Sequence, residues 1–427
     1  VAINSLGSGI SKDIPTEPSG TTTAIVMLGD GWLRDLNSSE TLKAGGKSFV
    51  ARIEKETDAG LFFRKIWQDS EREKLTPKEM IRRLSGLERA SPIGLENQEE
   101  VAKNNRMDRL KSRIAGRSFQ EVLKVLLDLF HSGQLTSLEE MKLRGDLAAI
   151  FELDPASVTD VLSMMNAGEI PVDVIRILST AFGQAGTPSA QSALVELVTN
   201  EQMDPKVRIS SLLAMATPQN PTEEAQKALQ KLVDPQDPRG LGINTLLILG
   251  AMAGNLNRQG AEGSEDTVNF LLEQEEAFRN AGKTDAFLSA LGNARDDRSF
   301  ETVSRYLKDP SSTIRSSAVN ALANLDHEAV AGKLMEAVND QDKRVQVRAI
   351  RGLQKKRYTE RTGVVVGGLL ALSPSAHVRK TALRYFEAHL ENHPEALTYI
   401  QVLSINDPNE DVRKLAKQLV DKSVSRR

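Results

Sequence analysis

At 427 residues the chain has room for two or three ordinary domains, or for one repeat array in which each unit packs only on its neighbours. It contains no cysteine, which excludes disulfides, thiolate nucleophiles and cysteine-ligated zinc or iron–sulfur sites. The net charge of −3 hides an asymmetry: residues 343–427 hold 17 Lys/Arg against 8 Asp/Glu, so this end carries +9 and the preceding 342 residues −12.

Residues 1–23 are rich in Gly, Ser, Thr and Pro and read as a flexible segment, as at the start of an exported mature protein. Exported, periplasmic or extracellular placement is the expectation, and the first residue, Val1, is not an initiator Met. Residues 24–70 read as a short β-rich segment. Strands are expected at Thr22 to Leu28, Lys47 to Glu54 and Gly60 to Trp67, with Gly29-Asp30-Gly31 and Ala44-Gly45-Gly46 as turns. Residues 71–111 form a linker with helical pieces, containing Pro92 and Gly94.

From 112 to 427 the period becomes that of amphipathic helices, about 18 of them by the pattern of apolar stripes and Gly, Pro, Asn or Asp breaks. The expected fold is mostly α, a solenoid of HEAT-like helix pairs. The last helix shows the logic: Val412, Leu415, Ala416, Leu419 and Val420 make one apolar stripe, while Arg413, Lys414 and Lys417 lie on the wet side. Asp407 is expected as its N-cap, with Pro408 at the first helical position and Glu410 closing a capping box.

This opening recurs at Asp204-Pro205, Asp309-Pro310 and Ser373-Pro374, each followed by an apolar residue and then arginine. Arg315, Arg348, Arg379 and Arg413 are separated by 33, 31 and 34 residues, the length of one helix pair, and Arg208 belongs to the same pattern. Equivalent positions in successive repeats predict a structural ladder, tying neighbouring units through Asp side chains and carbonyls.

Ala181 to Val198 (AFGQAGTPSAQSALVELV) and Ala286 to Leu307 (AFLSALGNARDDRSFETVSRYL) resemble the helical domain of the large lipid transfer protein family, that of vitellogenin, apolipoprotein B and microsomal triglyceride transfer protein. The intervening Leu212 to Met215, Pro221 to Glu224 and Leu246 to Gly250 keep the family order, and the resemblance covers roughly residues 110–420. Ala185 to Pro188 (A-G-T-P) and Ala290 to Ala294 (A-L-G-N-A) are taken as turns. A bacterial-type relative is implied, with lipid binding or transfer as the family's activity. The family's disulfides and downstream β-sheets have no counterpart in this sequence.

Chemistry-bearing motifs are few. Ala277 to Thr284 (AFRNAGKT) departs from a phosphate-binding G-x-x-x-x-G-K-T loop at Ala277 and follows a helical pattern instead of a strand, so it reads as a helix–helix turn. His389 and His393 are four apart, but Glu391 is displaced from the metalloprotease position and Pro394 places His393 in a turn. No G-x-S-x-G elbow occurs. Neither an enzyme nor a bound cofactor or metal is expected.

The longest nearly apolar run, Thr362 to Leu372, falls short of the roughly 20 residues that a membrane helix needs. The cluster Arg351, Lys355, Lys356 and Arg357 closes one helix, where cations complement the dipole, and it is the first candidate for a partner-binding patch. Aromatics scarcely interleave with the basic residues, which disfavours single-stranded nucleic acid. The function read from the sequence is a non-catalytic scaffold that binds protein through its curved surface, with lipid carriage as the alternative.

Overall fold

The structure, a computed structural model, describes residues 39–44, 47–55, 61–68, 106–390 and 396–425. The chain divides into two units, Val1–Arg109 and Leu110–Arg427. In the first, Ser39–Ala44, Lys47–Lys55 and Leu61–Gln68 pair antiparallel in chain order. Residues 1–23, the expected strand Thr22 to Leu28 and most of the 71–111 linker lie outside the described residues.

The second unit is helical throughout its described residues. After a helical stretch over 106–114, the helices are α1 (Phe119–His131), α2 (Ser137–Leu153), α3 (Ala156–Asn166), α4 (Val172–Ala185), α5 (Pro188–Thr199), α6 (Pro205–Ala214) and α7 (Glu223–Gln230). There follow α8 (Leu241–Gln259), α9 (Glu265–Glu273), α10 (Glu275–Asn280), α11 (Thr284–Ala294), α12 (Phe300–Arg305) and α13 (Ser312–Leu322). The array ends with α14 (Val330–Ala337), α15 (Lys343–Gln354), α16 (Glu360–Leu372), α17 (Ala376–His389), α18 (Ala396–Asn406) and α19 (Glu410–Ser425).

These helices form two layers. One holds α2, α4, α6, α8, α11, α13, α15, α17 and α19, each packed on the next; the other holds α3, α5, α7, α9, α12, α14, α16 and α18. Helix pairs bridge the layers, and a single apolar core runs from Phe119 to Leu419. Its largest fully buried side chains include Phe151, Phe182, Phe278, Phe287 and Tyr385, while Leu, Val and Ala supply most of the rest. Each pair leaves one apolar stripe uncovered until its neighbour stacks on it, which is why the array has one continuous core.

Local signals set the helix ends. Ser118 with Glu121 and Thr136 with Glu139 form reciprocal capping boxes at α1 and α2. In the A-G-T-P motif Gly186 takes φ +64 after α4, Thr187 caps α5 by accepting from the Ala190 N–H, and Pro188 opens the helix. The A-L-G-N-A motif is not a turn: Ala290 to Ala294 lie inside α11, and an added Cβ at Gly292 would stand 2.7 Å from Ala321 Cα on α13. The glycine is there for close helix approach.

The opening of α19 also differs from expectation. Asn409, not Asp407, caps it, accepting the Val412 N–H at 3.2 Å, while Asp407 accepts the Asn409 N–H and sits two residues before the cap. That shift frees its second oxygen for another partner. At Asp204 the expected capping does occur, with Pro205 at the first helical position.

Candidate interaction surface

The repeated arginines lie on the layer that contains α6, α13, α15, α17 and α19. Counting four residues from each cap, Asp204, Ser311, Ser375 and Asn409 lead to Arg208, Arg315, Arg379 and Arg413. Arg315 donates through Nε and Nη2 to Asp340 at 2.7 and 2.9 Å and through Nη1 to the Asp309 carbonyl. Arg379 does the same with Asp407, at 2.7 Å to each oxygen, and with the Ser373 carbonyl. Arg413 reaches the Asp407 carbonyl and Arg208 the Val198 carbonyl.

Arg348 does not occupy this position. Asp342 caps α15, so the fourth residue is Gln346, which donates to the Asp340 carbonyl at 2.8 Å in the place of the arginine Nη1. The Val347-Arg348 pair mimics the recurring dipeptide two residues too late, which rotates Arg348 to another face of the helix. There it is exposed and donates to the Ser316 carbonyl of α13 at 3.1 Å. The acceptor side changes in step: Ser373 stands where Asp340 and Asp407 stand in the flanking repeats.

With Arg348 on the outer face, α15 carries a cationic stripe of Arg344, Arg348, Arg351 and Lys355, all exposed and about one turn apart. Arg344 is neutralised by Asp342 at 2.8 Å and also bonds Ser312 Oγ. Asp342 is thereby held well below the usual carboxylate range, first by the Arg344 side chain and then by its backbone N–H. Lys355 has only the amide oxygen of Asn324, at 3.2 Å, and Arg348 only a carbonyl. Arg351 bonds nothing among the described residues. Lys356 turns away to the Leu325 carbonyl and Asp326, and Arg357 lies exposed in the turn that follows.

Of the four residues in the sequence-derived patch, Arg351 and Lys355 therefore share the stripe, and Lys356 and Arg357 leave it. Arg344 and Arg348 complete it. Their spacing of i, i+4, i+7 and i+11 with Arg351 and Lys355 is the signal in the sequence that marks them. The stripe borders a cleft of about 290 Å³ between α13, α15 and α17. Lys343, Arg344, Arg348, Arg351 and His377 line it together with hydroxyl side chains of α13, and no carboxylate does.

A second cleft, about 610 Å³, lies between the α8–α9 loop and Asp296. It is acidic, and Asp296 within it is already bonded by Arg298 and Asn257. Among the described residues no group of three or more His, Cys, Asp or Glu is placed to hold a metal ion. His389 packs against the Tyr358 and Tyr385 rings, and His393 lies outside the described residues. Lys283 and Thr284 begin α11 after the turn from α10, with no strand before them. No helix among the described residues is long and apolar enough to cross a membrane.

Residues 156–354 match the family model described as the vitellogenin TPR domain. This stretch is similar to the vitellogenin-type helical domain. It runs from α3 to the end of α15 and so includes the cationic stripe except Lys355. Among solved structures, lipovitellin is 13% identical, with 91% of this chain and 40% of that one covered at a TM-score of 0.44. The archaeal HEAT-like repeats protein of Thermococcus onnurineus is 16% identical over 56% of this chain and 98% of its own, at 0.32. The complex of CpcE and CpcF of phycocyanin lyase from Nostoc is 15% identical over 58% and 95%, also at 0.32. Such loose overlaps carry no functional reading. No curated protein matches.

Proposed function

We propose that this chain is a non-catalytic helical-repeat scaffold that binds a protein partner, in an exported or envelope-associated assembly, and that its vitellogenin-type domain is a bacterial-type relative of the lipid-carrier helical domain. The observation that carries the reading is the stripe on α15, in which Arg348, Arg351 and Lys355 have no carboxylate partner among the described residues, whereas several cations of the following repeats do. Lys380 pairs with Asp411, Lys414 with Glu410 and Lys422 with Glu387. A repeat array offers such surfaces because stability resides in contacts between neighbours, leaving outward side chains free to vary. Affinity capture from the source organism, followed by native mass spectrometry, tests it. A chain recovered only as a bare monomer would sink the scaffold reading.

Lipid carriage is the second reading, favoured by one observation of its own. Val364 and Leu372 on α16 and Tyr399, Val402 and Ile405 on α18 are exposed by 53 to 83% on adjacent helices of one layer. Exposed apolar groups gathered in one place mark interaction sites. Organic extraction of the purified protein and lipid mass spectrometry decide between the two, since an empty extract removes lipid carriage.

A further inference from the structure

We infer that the cleft between α13, α15 and α17 receives an acidic peptide segment of the protein partner, its carboxylates lying along Arg344, Arg348, Arg351 and Lys355. The inference rests on the scaffold reading and names the surface and the chemistry that recognises it. Like charges at i, i+4 destabilise a helix, so a stripe of this kind is a standing cost unless an anion offsets it. Among the described residues only Arg344 has that anion. Arg351 has no partner among the described residues, and the hydrogen bonds of Arg348 and Lys355 go to neutral oxygens that leave their charge unmatched.

The geometry suits a short chain segment. Eleven residues of helix separate Arg344 from Lys355, about 16 Å of rise, which about five residues of extended peptide span. Alternate side chains of such a peptide fall on one face about 7 Å apart, within reach of cations one helical turn apart on flexible stems. Guanidinium groups bind carboxylates in a two-point fork, and the hydroxyls of Thr313 and Ser317 on the facing wall supply further donors.

A nucleic acid fits less well. No Phe, Tyr or Trp lines the cleft to stack on a base, and His377 supplies its one ring.

The test uses the full chain and a fluorescein-labelled decapeptide with glutamate at alternate positions, read by anisotropy. Its glutamine counterpart and a single-stranded oligonucleotide of equal charge serve as comparison probes. The glutamate peptide should bind, the glutamine peptide should not, and binding should weaken at least about ten-fold in R348Q/R351Q while K414Q/K417Q leaves it unchanged. Raising salt from about 50 to about 300 mM should weaken it as well. Three results overturn the assignment: no binding, equal loss in both double variants, or tighter oligonucleotide binding that depends on Arg348 and Arg351. Circular dichroism of both variants checks that they are folded. If R348Q/R351Q still retains the natural partner in affinity capture, the cleft assignment falls and the scaffold reading survives.

Discussion

Arg379 on α17 and Asp407 before α19 face each other through two parallel hydrogen bonds of 2.7 Å, with side chains only 7 and 1% exposed. The pair joins the last two helices of its layer and holds the α18–α19 connection in place. Burial raises the carboxyl of Asp407, but the Arg379 bonds and the Asn409 N–H outweigh it, and the net effect is below the ordinary aspartate value. Removing one partner leaves a buried charge with no counter-ion. D407N should therefore cost about 3–5 kcal/mol in denaturant unfolding, and hydrogen exchange should show the loss concentrated in α18 and α19.

The repeat in which Gln346 replaces the arginine offers a cleaner test of the ladder. Q346R alone places a guanidinium beside Ser373, which cannot neutralise it, and S373D alone places a carboxylate where no cation is waiting. Together they recreate the arrangement seen at Arg315 with Asp340 and Arg379 with Asp407. A double-mutant cycle should give a favourable coupling of about 0.5–3 kcal/mol. A coupling near zero would show that the ladder geometry does not transfer between repeats.

Close approach of α11 and α13 depends on Gly292. A methyl group there would meet Ala321 backbone at 2.7 Å, and backbone in a packed layer has little room to give. G292A should destabilise by about 1–3 kcal/mol, whereas G332A, at a position open to solvent on α14, should not destabilise. Thermal unfolding of the two variants side by side separates packing from helix propensity.

Acid sensitivity should come in two stages. Burial lowers His389 below the usual histidine value, partly opposed by a backbone hydrogen bond with Gln354, and its Nε2 is buried without a hydrogen-bond partner. The unfolded chain then binds more protons than the folded one once pH drops below about 6.5, so stability falls from that point down to the lowered folded value. Asp407 acts with the same sign at lower pH: its contribution is full above about 3.9 and is lost as pH falls through its depressed folded value. H389F should flatten the slope of melting temperature between about pH 5 and 7 and leave the lower stage intact.

The cationic stripe should cost the chain stability when no partner is present. Arg351 is exposed and has no bond to lose among the described residues, so R351E relieves repulsion from Arg348 and Lys355 and should stabilise the protein by about 0.2–0.5 kcal/mol. The same substitution should abolish binding of the glutamate peptide. Equal stability and equal binding would show that the stripe is an ordinary solvated face.

The helix pairs could be read from the sequence because each stripe, cap and breaker is a short-range signal, and among the described residues nineteen helices follow residue 118, where about 18 were expected. Arginine at intervals of one repeat was equally visible, and so was the cluster ending at Arg357. Which residue filled which position was not. A Val-Arg dipeptide looks the same at 347–348 as at 378–379, yet the cap at Asp342 turns one guanidinium outward and the cap at Ser375 turns the other into the core. Likewise Gly292 carries no sign of its role until Ala321, 29 residues away, is packed against it. Periodicity along one chain fixes local structure; helix rotation and the meeting of neighbouring repeats decide which of two identical dipeptides pairs with an aspartate of the next repeat and which reaches only a backbone carbonyl, its charge unmatched.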